Sequence, residues 1–367
     1  MKHFGIYEDV LKYTVHDDGL KFVYGDDTVA GAFPVEKTGG PGSLVKEIEI
    51  MRSDFVQILF DRTKQNVEYI FDDSIAKLDQ YDAGVTVTFA NQKETTDYDI
   101  VAVADGLRGH TRDLAFEPDN SQIVRLRQYC GFMNIPWQPS DGTWTRWYNA
   151  PLGKCVCLRP NAERGTTSAY LAQVTEDSDS VVKLPVEEQR DEMQRRFVGA
   201  GWEAERVLEQ LHGESGKTFY LQEAAQVKST LLVKGRVALL GDAGYCPSPL
   251  TGQGTSLALV GAYILAGCIA TYNDHKEALE QYEKQIRLFV DSIQQLPPGV
   301  PWIVNPQTAT GIRILNNLVW VGEKIVNYSI AAAISKVAAW MPSFGGKGLV
   351  LPEFPAVAEK GPSAKLA

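Results

Sequence analysis

Cysteine is scarce and falls in no pairing pattern. There are five residues, Cys130, Cys155, Cys157, Cys246 and Cys268, an odd set with no Cys-x-x-Cys and no histidine partners at ligand spacing. Neither a disulfide framework nor a structural zinc site is supported. Histidine is equally thin, with His3, His16, His110, His212 and His275 scattered along the chain. None stands with a nucleophile or with carboxylates at metal spacing, so hydrolase and metalloenzyme chemistry has no support and no metal is expected. Positive charge is in deficit as well: 36 Lys and Arg against 46 Asp and Glu leave a formal net charge of −10. That balance argues against nucleic acid or an anionic membrane surface as the main partner. The opening residues, Met1 to Val10, carry no apolar h-region and no small-residue cleavage site, which leads us to expect a cytoplasmic protein. A long charge-free run, Ala243 to Asn273, is interrupted by Pro247, Pro249, Gly252 and Gly254. The clean stretch left is too short for the roughly 20 residues of a membrane span, and a buried core helix is expected.

What is present is an ordinary globular composition: 367 residues, 44% hydrophobic and 22% charged, enough for two or three packed units. A short helix is expected over Tyr7–Tyr13, then turns at Asp17-Asp18-Gly19 and Gly25-Asp26-Asp27. Apolar residues at 55, 56, 59 and 60 fit one face of a helix that Ser53 could cap. Strand-like runs follow at Val67–Phe71 and Val85–Phe89, with a turn at Asp82-Ala83-Gly84. The continuous apolar run Tyr98–Ala104 predicts a strand covered on both faces, as in a parallel sheet. Runs at Cys130–Ile135, Thr143–Tyr148 and Ser168–Val174 predict an antiparallel sheet, and Pro185–Gly213 reads as helical. Val237–Leu240 is a second buried-type strand, followed by helices over Ser256–Tyr272, Glu277–Ile293 and roughly Ile312–Trp340. The fold class is therefore α/β with a β-rich insert. Two parallel-type strands, 98–104 and 236–241, flank that insert, and each ends in an aspartate at its carboxyl edge, where open α/β sheets bind ligands.

The strongest chemical signal runs from Arg236 to Ala258: a buried strand, Gly241-Asp242-Ala243 at its tip, a loop with Pro249 and Gly252-Gln253-Gly254, then an apolar helix beginning near Thr255. Gly252 and Gly254 allow close backbone approach or positive φ, and the helix N-terminus offers free amides and partial positive charge. An aspartate at a strand tip accepts hydrogen bonds from polyol hydroxyls. The arrangement suits a polyol-linked, electron-rich ring such as a flavin on its ribityl chain.

Gly241-Asp242-Ala243 with Pro249 and Gly252-Gln253-Gly254 resembles the second flavin-contacting motif of the FAD-dependent aromatic hydroxylases, the para-hydroxybenzoate hydroxylase-like monooxygenases. Asp99-Ile-Val-Ala-Val-Ala-Asp105-Gly106-Leu-Arg-Gly109-His-Thr-Arg112 is similar to that family's Asp-Gly motif, with Gly109 where a serine is usual and Val103 where a glycine is usual. Glu49-Ile-Met-Arg52-Ser-Asp54-Phe-Val-Gln-Ile-Leu59 resembles its Arg-x-x-Leu segment. The motifs occur in the family's order over roughly residues 1–300. The resemblance implies that Asp242 holds the ribityl chain and that the backbone at Gly254 and Thr255 holds the pyrimidine edge. It further implies that Pro249 lies beside the ring system, Arg52 contacts the cofactor, and Asp105 with Gly106 braces the site. It implies FAD as cofactor, NAD(P)H as co-substrate, and O2-dependent hydroxylation of a small aromatic or polyketide-like secondary metabolite. No catalytic side chain is singled out.

The implied organisation is a partial Rossmann-like FAD-binding domain in 1–112 and 231–300, an antiparallel β-sheet substrate domain in 113–230, and a helical tail in 301–367. The family's opening strand, Gly-x-Gly-x-x-Gly turn and helix have no counterpart here, and no Gly-x-Gly-x-x-Gly occurs in the chain. That leads to the expectation that this first βαβ unit is absent, with an open sheet edge as its consequence. Two rival readings follow: a degenerate, non-catalytic homologue acting as a scaffold or partner, and an FAD-dependent oxidase or dehydrogenase on the same fold. Trp144, Arg146, Trp147 and Tyr148 are candidates for the substrate pocket. The last helix, with Leu315, Val319, Val326, Ile330 and Ile334, reads as a packing helix, with a homodimer or membrane-surface face as the alternative.

Overall fold

The computed structural model describes residues 1–35, 49–92, 94–327 and 350–355. Helix α1 (Tyr7–Lys12) and strands β1 (Gly19–Val23) and β2 (Val29–Pro34) come first. They are followed by α2 (Arg52–Thr63), β3 (Ile75–Tyr81), β4 (Gly84–Phe89), β5 (Thr95–Tyr98) and β6 (Val101–Val103). The middle section holds α3 (Thr111–Ala115), β7 (Ser121–Pro136), β8 (Thr145–Ala150), β9 (Lys154–Asn161), β10 (Thr166–Val174), α4 (Ser178–Val182), α5 (Val186–Phe197), α6 (Ala204–Leu208) and β11 (Tyr220–Ser229). Then come β12 (Val233–Lys234), β13 (Val237–Leu239), α7 (Asp242–Tyr245), α8 (Gly254–Thr271), α9 (His275–Ile293) and α10 (Ala309–Asn327).

Seven strands form the largest sheet, in the order β11-β7-β10-β9-β8-β1-β2. Its neighbours are antiparallel except for β1 and β8, so the first hairpin extends a sheet built mainly from the middle of the chain. Successive strand residues point to opposite faces, and that alternation sorts the sequence into two layers. Tyr129, Val156, Leu158 and Leu171 face α5 and α6, where they share a core with Met193, Phe197, Val207 and Leu208. The opposite face carries Cys155, Cys157 and Ala172, with Cys130, Trp147 and Tyr170 packed alongside.

A second sheet has the order β12-β13-β6, with β13 and β6 parallel and Leu239 opposite Val103. The two aspartate-tipped strands read from the sequence are thus direct neighbours. β13 is buried throughout, but β6 is not: Ala102 and Ala104 are exposed. The expectation of a strand covered on both faces holds for 237–239 and fails for 101–103, because only the Val101 and Val103 face of β6 is packed against the core.

Three other expectations need correction. Residues 67–71 form no strand; Phe60, Tyr69 and Phe71 instead cluster through their rings. In α2, Met51 is the capping residue rather than Ser53, and the buried face is Phe55 and Ile58 while Val56 is exposed, since i and i+3 share a face where i+1 does not. The apolar helix α8 starts earlier than the sequence suggests and is, by length and composition, the one helix among the described residues able to cross a membrane. Its Leu257, Ile264, Leu265 and Cys268 lie in the main core against α9. Helix α10 lies across β2, where Val319 Cγ1 would stand 2.8 Å from a Cβ at Gly31. Its Ile314, Leu318 and Val321 are exposed, and the expected continuation to Trp340 falls outside the described residues.

Candidate active site

Both strand-tip motifs meet at the carboxyl edge of the β6–β13 pair. After β13 the chain turns through Gly241, at φ 60°, and enters α7 with Asp242 as its first residue. Positive φ is costly for other residues, so the bend depends on glycine. After β6, the Asp105 Oδ2 accepts a hydrogen bond from the Thr111 amide at 3.0 Å, where α3 begins. A Cβ at Gly109 would lie 2.0 Å from the Asp105 Cγ, so the glycine standing at this motif's usual serine position leaves the space that the carboxylate takes. Gly106, at φ 88°, has open space where a side chain would be.

Arg112 joins the two motifs. It is buried, and its Nη1 donates to the Ala243 carbonyl at 2.8 Å. The sequence places Arg112 inside the Asp-Gly motif without giving it a partner.

Beyond α7, Ser248 takes a positive φ of 81°, and Pro249 to Thr251 make a single turn closed by Gly252 at φ 61°. A buried non-glycine residue in this conformation costs energy that the surrounding loop must offset. Helix α8 then opens at Gly254 with no side-chain cap from Gln253. Space at Gly254 is generous: the nearest atom to a Cβ there is Asp242 Oδ1, 3.9 Å away. Thr255 follows, exposed on the first turn. The residues therefore fit a polyol-linked ring: a carboxylate at a strand tip, two unfilled glycine positions and the open end of an 18-residue helix.

A cavity of about 560 Å³ lies between this loop and the small-residue face of the seven-stranded sheet. Pro249, Leu250 and Gly252 form one side. Cys130, Cys155, Cys157 and Ala172 line the other, with Phe132 and Trp147 beside them. Burial pushes the Cys157 thiol up to about 12, with the Arg159 charge partly opposing. One end of the cavity is charged, with Asp17, Glu49 and Arg159 all lining it.

Arg52 stands at the start of α2, with its charge acting on the Tyr220 side chain. Burial raises the Tyr220 hydroxyl above its ordinary range, and Arg52 partly opposes that. Tyr220 stacks on Phe132 at 4.8 Å and 8°, so Arg52 reaches the cavity wall through two rings. Of the four aromatic-strand candidates, Trp147 alone lines the cavity. Arg146 and Tyr148 point to the other face, to Asp27 and Asp141 and to the Ala200 carbonyl, because β8 alternates. Trp144 packs beside Lys21 and Gly19. Tyr245 is a packing residue: its hydroxyl meets that of Tyr282 at 3.1 Å, which donates to the Leu239 carbonyl.

The charged end and the three thiols carry no motif. Their only sequence signal is alternation on β9, which puts residues 155, 157 and 159 on one face.

A family model described as an FAD binding domain matches residues 3–296. The chain is 34% identical over 319 residues to the FAD-dependent monooxygenase asL6 of Sarocladium schorii, a match covering 81% of this chain and 74% of that protein. It is 32% identical over 332 residues to the monooxygenase CTB7 of Cercospora beticola, covering 86% and 78%. Among solved structures it is similar to the tetracycline destructase Tet(55), with a TM-score of 0.71 and 28% identity over 96% of this chain and 85% of that one. Strand-tip aspartates, glycine bend and ring-sized cavity thus sit in a chain whose sequence relatives are flavin monooxygenases along most of its length: the chain belongs to the FAD-dependent aromatic hydroxylase family and is an FAD-dependent monooxygenase.

Proposed function

We propose that this chain uses NAD(P)H and O2 to hydroxylate a small aromatic or polyketide-like molecule held in the cavity between Pro249–Gly252 and the sheet. One oxygen atom enters the ring as a hydroxyl, the other leaves as water, and NAD(P)H supplies the two electrons. The observation that carries this reading is the shared wall: the same loop that would lie beside the flavin also closes the substrate-sized cavity. Pockets of some hundreds of Å³ lined by apolar groups with a few polar ones are the usual form of small-molecule sites. The secondary-metabolite assignment is supported by the fungal relatives, asL6 and CTB7.

FAD supplies the oxygen and electron chemistry when bound; the chain's task is to hold and shield. Asp242 would accept hydrogen bonds from the ribityl hydroxyls, and the Gly254 and Thr255 amides at the start of α8 would hold the ring's polar edge. Pro249 would lie beside the ring, Arg52 would contact it from α2, and Asp105 with Gly106 would brace the neighbouring strand end. The thiols, Phe132 and Trp147 would keep water from the substrate cavity.

The test is NADPH oxidation by the FAD-loaded chain, with and without aromatic candidates, scored against both hydroxylated product and H2O2. Product matching the NADPH consumed supports the monooxygenase reading. H2O2 alone, across a broad panel of ring compounds, supports an oxidase instead.

A further inference from the structure

The charged end of the cavity gives the proposed substrate site a chemical preference. This inference rests on the cavity being that site. The Asp17 side chain is 4% exposed, and its Oδ2 accepts from Arg159 Nε at 2.7 Å and from Thr145 Oγ1 at 3.1 Å. Its Oδ1 is buried and has no hydrogen-bond partner among the described residues. Arg159 is ion-paired on both sides, with Asp17 through Nε and with Glu49 through Nη2, the latter a charge contact in which Nη2 has no hydrogen-bond partner among the described residues. Among the described residues, the charged ones lining the cavity are two carboxylates against one guanidinium.

Two consequences follow. A buried acceptor without a donor is costly, and a ligand that brings the donor removes that cost. A ligand carboxylate meets the opposite situation: the guanidinium it needs is already neutralised twice, and it would face a surplus negative charge in a poorly solvated site. Burial of Asp17 holds its carboxyl above the usual carboxylate range, with the Arg159 charge opposing, as expected of a group short of solvation.

We propose that Asp17, oriented by Arg159 and Thr145, selects neutral ring substrates that present a hydroxyl donor to Asp17 Oδ1, and that Asp17 and Glu49 together turn ring carboxylates away by occupying Arg159. Asp17 is thus a specificity-determining residue and Glu49 a positioning one. The cavity's apolar length, from Cys130 to Trp147, takes the ring body.

The experiment measures binding of 1-naphthol, 1-methoxynaphthalene and 1-naphthoate to the full chain with FAD added, by equilibrium dialysis at neutral pH. 1-Naphthol is expected to bind about tenfold tighter than its methyl ether, the discrimination typical of a hydrogen bond to a charged acceptor, with 1-naphthoate the weakest. Asp17→Asn should strengthen 1-naphthoate binding by about tenfold while weakening 1-naphthol, because the freed guanidinium can take a carboxylate. Glu49→Gln, at a more exposed side chain than Asp17, should strengthen 1-naphthoate to a smaller degree. Tightest binding of 1-naphthoate by the unaltered chain, equal binding of the alcohol and the ether, or no response of 1-naphthoate to either substitution overturns the proposal. So does failure of all three probes to bind. Flavin content and NADPH oxidation are read on the same samples. The expected order in a protein without flavin activity contradicts only the monooxygenase reading, and a reversed order in an active one contradicts only the specificity assignment.

Discussion

The Arg112 Nη1 and the Ala243 carbonyl, 131 positions apart in the chain, are 2.8 Å from each other. This bond ties α3, which follows Asp105, to α7, which Asp242 opens, so the two segments that carry the strand-tip aspartates are joined by one guanidinium as well as by the β6–β13 pairing.

Arg112 is 4% exposed. Arg112→Ala should therefore cost about 2–4 kcal/mol, since it leaves a buried carbonyl unpaired and a cavity behind. Urea unfolding measures the loss. The same variant should retain FAD poorly at temperatures where it is still folded, and Arg112→Lys should recover stability only in part, because a single ammonium does not reproduce the guanidinium's spread of donors.

Gly261 lets α8 approach Tyr245. A Cβ there would lie 2.0 Å from the Tyr245 hydroxyl, inside the buried Tyr245–Tyr282–Leu239 chain of hydrogen bonds. Alanine gains about 1 kcal/mol of helix propensity over glycine. Overpacking costs about 1–3 kcal/mol, and breaking the tyrosine pair adds to it. Gly261→Ala should therefore destabilise on balance; a rise in the unfolding midpoint would contradict this packing.

The thiols give a pH test. Burial is the leading cause that pushes Cys157 and Cys246 up to about 12 and Cys268 up to about 11, and it raises Cys130 and Cys155 as well. At about pH 8 each is the neutral thiol, which is not the nucleophile. A dithiobis-nitrobenzoate reagent should titrate the folded protein at least about tenfold more slowly than the guanidinium-denatured one, with rates rising as pH rises. A fast thiol in the folded state would mark an open cavity.

Much of this organisation is legible in the sequence because it is local. Continuous apolar runs and glycine turns give β13, the Gly241 bend and the Gly252–Gly254 loop, and the two aspartates announce which strand ends matter. The same two runs mark parallel-type strands on either side of the β-rich insert, while their direct pairing is seen only in the fold. The charged end of the cavity could not be read that way. Asp17, Glu49 and Arg159 come from three separate segments: the β1–β8–β9 pairing brings Asp17 to Arg159, and Glu49 joins them through the bridge of Thr14 with Ile50 and the bond from the Val15 amide to the Glu49 carbonyl. The aromatic strand Thr143–Tyr148 was legible as a strand, but which of its residues face the cavity depends on which side α5 and α6 cover. The run at 67–71 shows the limit of β propensity: its aromatic rings find partners in α2 instead of in a ladder.

Arg52 and Asp242 should rank differently in flavin binding. Arg52 is exposed and already engages Tyr220, so Arg52→Ala removes one flexible contact and should weaken FAD by roughly three- to tenfold, the worth of a single exposed charged hydrogen bond. Fluorescence titration with FAD reads it. Loss as large as that of the aspartate variant would reverse the ranking.

The most direct test of the whole account is the same titration on Asp242→Ala beside the unaltered chain, with circular dichroism to show that both are folded. The unaltered chain should bind FAD near one to one and show the visible flavin bands. Asp242→Ala should keep its fold and lose flavin affinity by about ten- to a hundredfold. Equal FAD affinity in the two proteins, or an unaltered chain that stays colourless with excess FAD, would contradict the central claim that this strand-tip carboxylate and its glycine loop hold the flavin.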